Sequence, residues 1–140
     1  MLLKKQIIGF IAILVLIGCS NDLWDKLPSQ LSTFVSNYYP LSSISQYSEK
    51  DGNYYVTIKD GPSIVFDSQY HWVSIDGNGN TLPAIFVTDQ MPETLLRYLQ
   101  ETEAVDGVYA ARNEPREILL DMLNYKIRYQ KSTGTVMEEK

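Results

Sequence analysis

Cys19 is the only thiol in the 140 residues and His71 the only imidazole. Nucleophilic catalysis needs a base beside its nucleophile. His71 precedes Trp72 in a segment patterned as a strand, and no serine occupies a Gly-x-Ser-x-Gly elbow. Paired carboxylates could do acid–base work. Glu93, Glu101, Glu103 and Asp106, however, follow the solvated face and end of a helix, while Asp60 and Asp67 suit hairpin turns. Asp76-x-Asn78-x-Asn80 has the alternating oxygen ligands of a calcium loop. Thr81 stands where that loop needs glycine, and Val87 where it needs a bidentate glutamate, so the ligand charge is too low. No His-Glu-x-x-His, paired Cys-x-x-Cys or phosphate-binding loop occurs. These patterns lead to the expectation of a chain that is not an enzyme, with no catalytic residues, no cofactor and no metal site.

The chemistry of Cys19 is of another kind. Lys4 and Lys5 form a short positive start, and Ile7 to Ile17 is an uncharged apolar run. As a helix that run is about 16 Å long, too short for a hydrocarbon core of about 30 Å. It suits the central region of a secretory leader. Leu16-Ile17-Gly18-Cys19 then resembles the bacterial lipobox, in which a small residue precedes the cysteine that becomes the new N-terminus. A thiol is required there because the lipid is attached as a thioether. Acyl chains (palmitate among them) contribute about 0.8 kcal/mol per buried methylene, so several together anchor firmly. The expectation is a leader over 1–18, a lipidated tether over 19–26 and a folded domain over 27–140. By resemblance to the lipoproteins of diderm bacteria, Ser20 after the cysteine implies transfer to the outer membrane, on either its periplasmic or its surface face. With one cysteine, no intrachain disulfide can form.

Removal of Lys4 and Lys5 with the leader takes the basic residues from 12 to 10 against 17 acidic ones, a net −7. That sign argues against nucleic acid. Lys126, Arg128, Arg112 and Arg116 lie close in sequence, but acidic neighbours dilute them. Ten tyrosines and two tryptophans favour strands and contact surfaces.

The elements come in two related runs. Leu27-Pro28-x-x-Leu31-x-x-Phe34-Val35 recurs, 64 residues on, as Met91-Pro92-x-x-Leu95-x-x-Tyr98-Leu99. Each predicts a short amphipathic helix with proline at its start. The same offset carries Tyr54, Val56 and Ile58 onto Ile118, Leu120 and Met122. Period-two alternation and turn residues such as Asp51-Gly52 and Asp60-Gly61 predict strands at 43–48, 53–59, 63–67 and 71–75. The second run predicts strands at 107–113, 117–122, 125–130 and 134–137. A further short helix or packed connection is expected at Leu82 to Val87. The fold class expected is α+β, with tandem units of about 27–81 and 82–140 forming one antiparallel sheet with helices on one face.

Leu27-Pro28, Tyr54 to Gly61, Phe66-Asp67, Trp72 with Ile75-Asp76, and Leu82-Pro83 together resemble the PepSY-like lipoproteins of Bacteroidetes, over about 27–137. Tyr70 departs from the glycine usual before the tryptophan strand, and Leu123-Asn124 from a glycine turn. The resemblance implies a fold like that of the β-lactamase inhibitor protein and a cell-envelope location. It supplies no catalytic residues.

If Tyr54, Val56 and Ile58 face the helices, Tyr55 faces away. Tyr47, Val65, Trp72 and Tyr109 would join it as a partner-binding patch on the open sheet face, unless a bulge turns some of them inward. The function expected is a membrane-anchored binding module for an envelope protein or peptide, possible inhibition included. The alternative is a small-ligand carrier or sensor with a pocket between helices and sheet.

Overall fold

A computed structural model describes residues 23–140. Cys19, and with it the lipidation expectation, lies outside the described residues.

An apolar–proline pair opens each of three helices. Pro28 precedes α1 (Ser29–Tyr38), Pro83 precedes α2 (Ala84–Gln90) and Pro92 precedes α3 (Glu93–Glu101). Proline fits there because a helix's first N–H groups have no internal partner. Its carbonyl then accepts the first helical bonds, as from Leu31 and Ser32 to Pro28 at 2.9 and 3.1 Å. The apolar residue before each proline, Leu27, Leu82 or Met91, is buried and ties the helix start to the core.

The eight strands are β1 (Ile44–Lys50), β2 (Asn53–Ile58), β3 (Ser63–Phe66), β4 (Trp72–Asp76), β5 (Ala110–Asn113), β6 (Glu117–Asp121), β7 (Lys126–Gln130) and β8 (Val136–Glu139). They form one sheet in sequence order, every neighbour antiparallel. The fold is therefore α+β, as the patterning predicts. β5 begins later than its apolar run suggests, because Val105–Gly107 closes a 3-10 turn first. The connection after Asn80 resolves as the helix α2.

One hydrophobic core lies under the helices. Leu31 and Val35 of α1, Phe86 and Val87 of α2, and Leu95 and Leu99 of α3 are fully buried against Ile64, Phe66, Ile75, Leu120 and Ile127 of the sheet. Each such side chain contributes about 1.5–3 kcal/mol by burial. No buried side chain among the described residues is polar or charged.

The two runs of strands join at β4–β5, where Ser74, Ile75 and Asp76 pair with Arg112, Ala111 and Ala110. The Asp76–Asn80 turn locks this seam. Gly77 N–H donates to the Tyr109 carbonyl at 2.9 Å. The Asn78 amide donates to Gly61 O at 2.9 Å and to Ser63 Oγ at 3.1 Å, and Asn78 N–H donates to Asp76 Oδ1 at 2.8 Å.

Candidate binding face

The face of the sheet away from the helices is built by strand alternation and register. Val56, Ile64, Ile75, Ala111, Leu120 and Ile127 point into the core, so their neighbours point out. Following the pairings across the sheet gives one continuous row: Ser48, Tyr55, Val65, Ser74, Arg112, Leu119, Arg128 and Met137. It crosses all eight strands, about 34 Å at the usual strand spacing. A parallel row holds Gln46, Thr57, Ser63, Asp76, Ala110, Asp121, Lys126 and Glu139.

The central row carries one apolar pair, Tyr55 with Val65, and two further apolar residues, Leu119 and Met137, on either side of Arg128. Tyr55 and Met137 are 38% and 43% exposed. Between them Ser74 and Ala110 are small, and a hollow of about 210 Å³ forms among Ser74, Asp76, Ala110, Arg112, Leu119 and Asp121. A wider depression of about 490 Å³ lies over Gln46, Ser48, Lys50, Tyr55, Thr57, Ser63 and Val65.

Several charges of this face are paired within it. Arg128 bonds Glu117 at 2.6 Å and Glu139 at 2.9 Å. These two carboxylates, Glu139 first, raise the already high Arg128 pKa. Arg112 pairs with Glu114, and Lys126 lies 3.9 Å from Asp121. A partner meets paired ions flanking apolar side chains, rather than a field of one sign.

The sequence-derived site residues divide. Tyr55 and Val65 stand side by side on the outer face. Tyr47 does not join them. A bulge between Ile44 and Gln46 resets the alternation, placing Tyr47 opposite inward Val56. Burial is the largest cause raising the Tyr47 pKa, followed by Glu49 and Tyr70. Trp72 is likewise turned inward. The register shifts between Val65 and Phe66, so Trp72 opposes Phe66 rather than continuing the outward positions of β4. It is 6% exposed, and its ring meets Phe86 edge-on at 5.2 Å. Its Nε1–H donates to Gln90 Oε1 at 3.1 Å, and Gln90 donates to the Tyr38 hydroxyl at 2.8 Å. Tyr109 lies half-buried ahead of β5, and the outward position there belongs to Ala110. Sequence reasoning omitted Ser74, Arg112, Leu119, Arg128 and Met137. Alternation with Ile118 and Leu120 already marks Leu119 as outward; its alignment with Tyr55 needs the register of the three intervening strands.

The other candidates have local roles. His71 is exposed, with Nδ1 3.6 Å from Asp67 Oδ2, and Asp67 Oδ1 accepts from Gln69 and His71 N–H groups at 2.9 and 3.0 Å. Glu93 pairs with Arg97 one helical turn on. Among the described residues no three His, Cys, Asp or Glu side chains converge on a metal position, and no helix is long and apolar enough to cross a membrane.

Solved structures share this fold. A Bacteroides vulgatus ATCC 8482 protein of the DUF2874 family, described as periplasmic, matches at TM-score 0.66 and 15% identity, over 84% of this chain and 93% of that one. A Bacteroides thetaiotaomicron protein, described as periplasmic and calcium-regulated, matches at TM-score 0.67 and 15% identity, over 84% and 93%. A second B. vulgatus protein, described as periplasmic and of unknown function, matches at TM-score 0.64 and 16% identity, over 83% and 94%. No family model and no curated protein matches the chain. At these identities the likeness is one of fold.

Proposed function

We propose that this protein is a lipid-anchored component of the bacterial cell envelope that acts as a non-enzymatic binding module. It holds a segment of an envelope protein or peptide across the outer face of its sheet, and inhibition of that partner is one form the binding could take. The continuous row from Ser48 to Met137 carries the reading. It offers the apolar pair Tyr55–Val65 and, beyond the hollow at Ser74 and Ala110, the apolar side chains of Leu119 and Met137, all on a hydrogen-bonded platform. Contact sites combine apolar anchors with polar surroundings in this way. The leader and lipobox pattern support the location, as does the shared fold of three proteins described as periplasmic.

The interior disfavours a small-ligand carrier. Such pockets present a few convergent polar groups. Here the space between helices and sheet is filled by fully buried apolar side chains, with none polar or charged. Calcium control, stated for the B. thetaiotaomicron protein, is not carried over. The Asp76 and Asn78 side chains already make the hydrogen bonds that hold the seam turn.

The test is photo-crosslinking in intact envelopes. A photoreactive residue replaces Tyr55, Leu119 or, on the exposed side of α2, Ile85 in the full chain. One shared adduct at positions 55 and 119, absent at 85, is the expected result. An adduct at 85 alone would refute the sheet-face assignment.

A further inference from the structure

Leu41 occupies a conformation that leucine avoids, with φ 65°, and its side chain is fully exposed. The left-handed region crowds Cβ against the following carbonyl, and a turn needing it ordinarily takes glycine or asparagine after proline. Here Leu41 follows Pro40. Among the described residues five other non-glycine positions have positive φ: Asp51, Asp60, Tyr70, Asn78 and Glu103. Asp and Asn tolerate the region, and Tyr70 packs against Tyr54 at 5.2 Å. Leu41 alone among the six joins an unfavourable backbone to an apolar side chain fully in water.

Its position supplies the reason. Leu41 lies in the corner between α1 and β1, where the helical turn at residues 23–26 meets the domain. The Trp24 indole Nε1–H donates to the Ser42 carbonyl at 3.0 Å, and half-buried Leu23 and Trp24 pack on the core. Cys19 is four residues before Leu23. Fully extended, that interval spans at most about 14 Å. A lipid on Cys19 therefore holds this corner beside the headgroups, whatever the tether's path.

We infer that the Trp24–Leu41 corner docks on the bilayer, with Leu41 entering the headgroup–acyl boundary and the Trp24 ring lying at the interface. This inference rests on the lipid-anchored reading above. Tryptophan suits that depth, being apolar in body, with its one polar N–H already bonded to the Ser42 carbonyl. Asp25, Lys26, Lys59 and Asp60 are exposed near the corner, with Lys59 N–H bonded to Ser43 O at 2.8 Å. Their charges cancel, so apolar insertion, not headgroup charge, drives the contact, and added salt leaves it unchanged. Docking would fix the orientation of the outer sheet face relative to the membrane.

The experiment uses the mature lipidated chain in phosphatidylethanolamine–phosphatidylglycerol vesicles. Lipid occupies the native thiol, so Leu41→Cys and, at the opposite end of the sheet, Ser68→Cys each give one site for a fluorescent label. The label at 41 should be several-fold less quenched by aqueous iodide than the label at 68. In the unsubstituted protein, brominated lipid should quench Trp24 while core-buried Trp72 stays unquenched. Protein that floats with the vesicles yet shows equal iodide quenching at both positions, and no bromine quenching, overturns the docking and leaves the anchor standing. An intact mass without acyl chains, with no flotation, overturns both.

Discussion

Trp72 decides between a contact residue and a core residue, and the two roles differ in magnitude. Trp72→Ala removes a 6%-exposed indole that meets Phe86 edge-on and donates to Gln90. Truncation of a buried Trp or Phe to Ala costs about 3–5 kcal/mol. Gln90 is half-buried, so water can replace the lost donor and adds little to that cost. A loss of about 4 kcal/mol is a large part of a typical stability of about 5–15 kcal/mol. Trp72→Phe keeps most of the ring packing and loses the hydrogen bond, a cost of about 1–2 kcal/mol. Tyr55→Ala, on the outer face, should cost less than about 1 kcal/mol. Equilibrium urea denaturation measures all three. With slopes of about 1–3 kcal/mol/M, the Trp72→Ala midpoint should fall by roughly 2 M. A Trp72→Ala midpoint close to that of Tyr55→Ala, at an unchanged slope, would refute the inward placement and the bulge that causes it.

Gly77→Ala should destabilise by more than about 2 kcal/mol in the same assay, because a Cβ there would stand 1.9 Å from Asn80 O and 3.0 Å from Tyr109 O, both backbone atoms. Gly79→Ala, at φ 96° with open space around it, should cost about 1 kcal/mol. Tyr70 has φ 69°, so Tyr70→Gly and Tyr70→Ala both lose the Tyr54 contact but only glycine relieves the backbone; the glycine variant should be the more stable by about 1 kcal/mol. Burial pushes the Tyr39 phenol up to about 12 from its usual 10. Its raised folded pKa means that its stabilisation is complete below pH 10 and lost as pH rises through about 12. Tyr54 is raised to about the same value, first by its hydrogen bond with Tyr70, so tyrosinate absorbance should show a late phase in that window that Tyr39→Phe reduces by one tyrosine without removing it.

The sequence by itself determined the elements and the class. Apolar–proline pairs mark where three helices begin, and residues such as Asp60-Gly61 mark where strands turn. Period two in Tyr54 to Ile58 and in Ile118 to Met122 assigns inner and outer positions, because local sterics and burial act on neighbouring residues. Tyr55, Val65 and Leu119 are outward on that ground alone. Tertiary structure decided which outward residues meet. A bulge shifts alternation by one residue and reverses every side chain beyond it. Neither the bulge at Ile44–Gln46 nor the one at Val65–Phe66 has a local mark in the residues themselves. Each is selected by what the core gains: Tyr47 covers the helix side of the sheet, and Trp72 fills the space beside Phe86. The same pairings align Tyr55 with Met137, 82 residues along the chain, in one row that no local pattern contains.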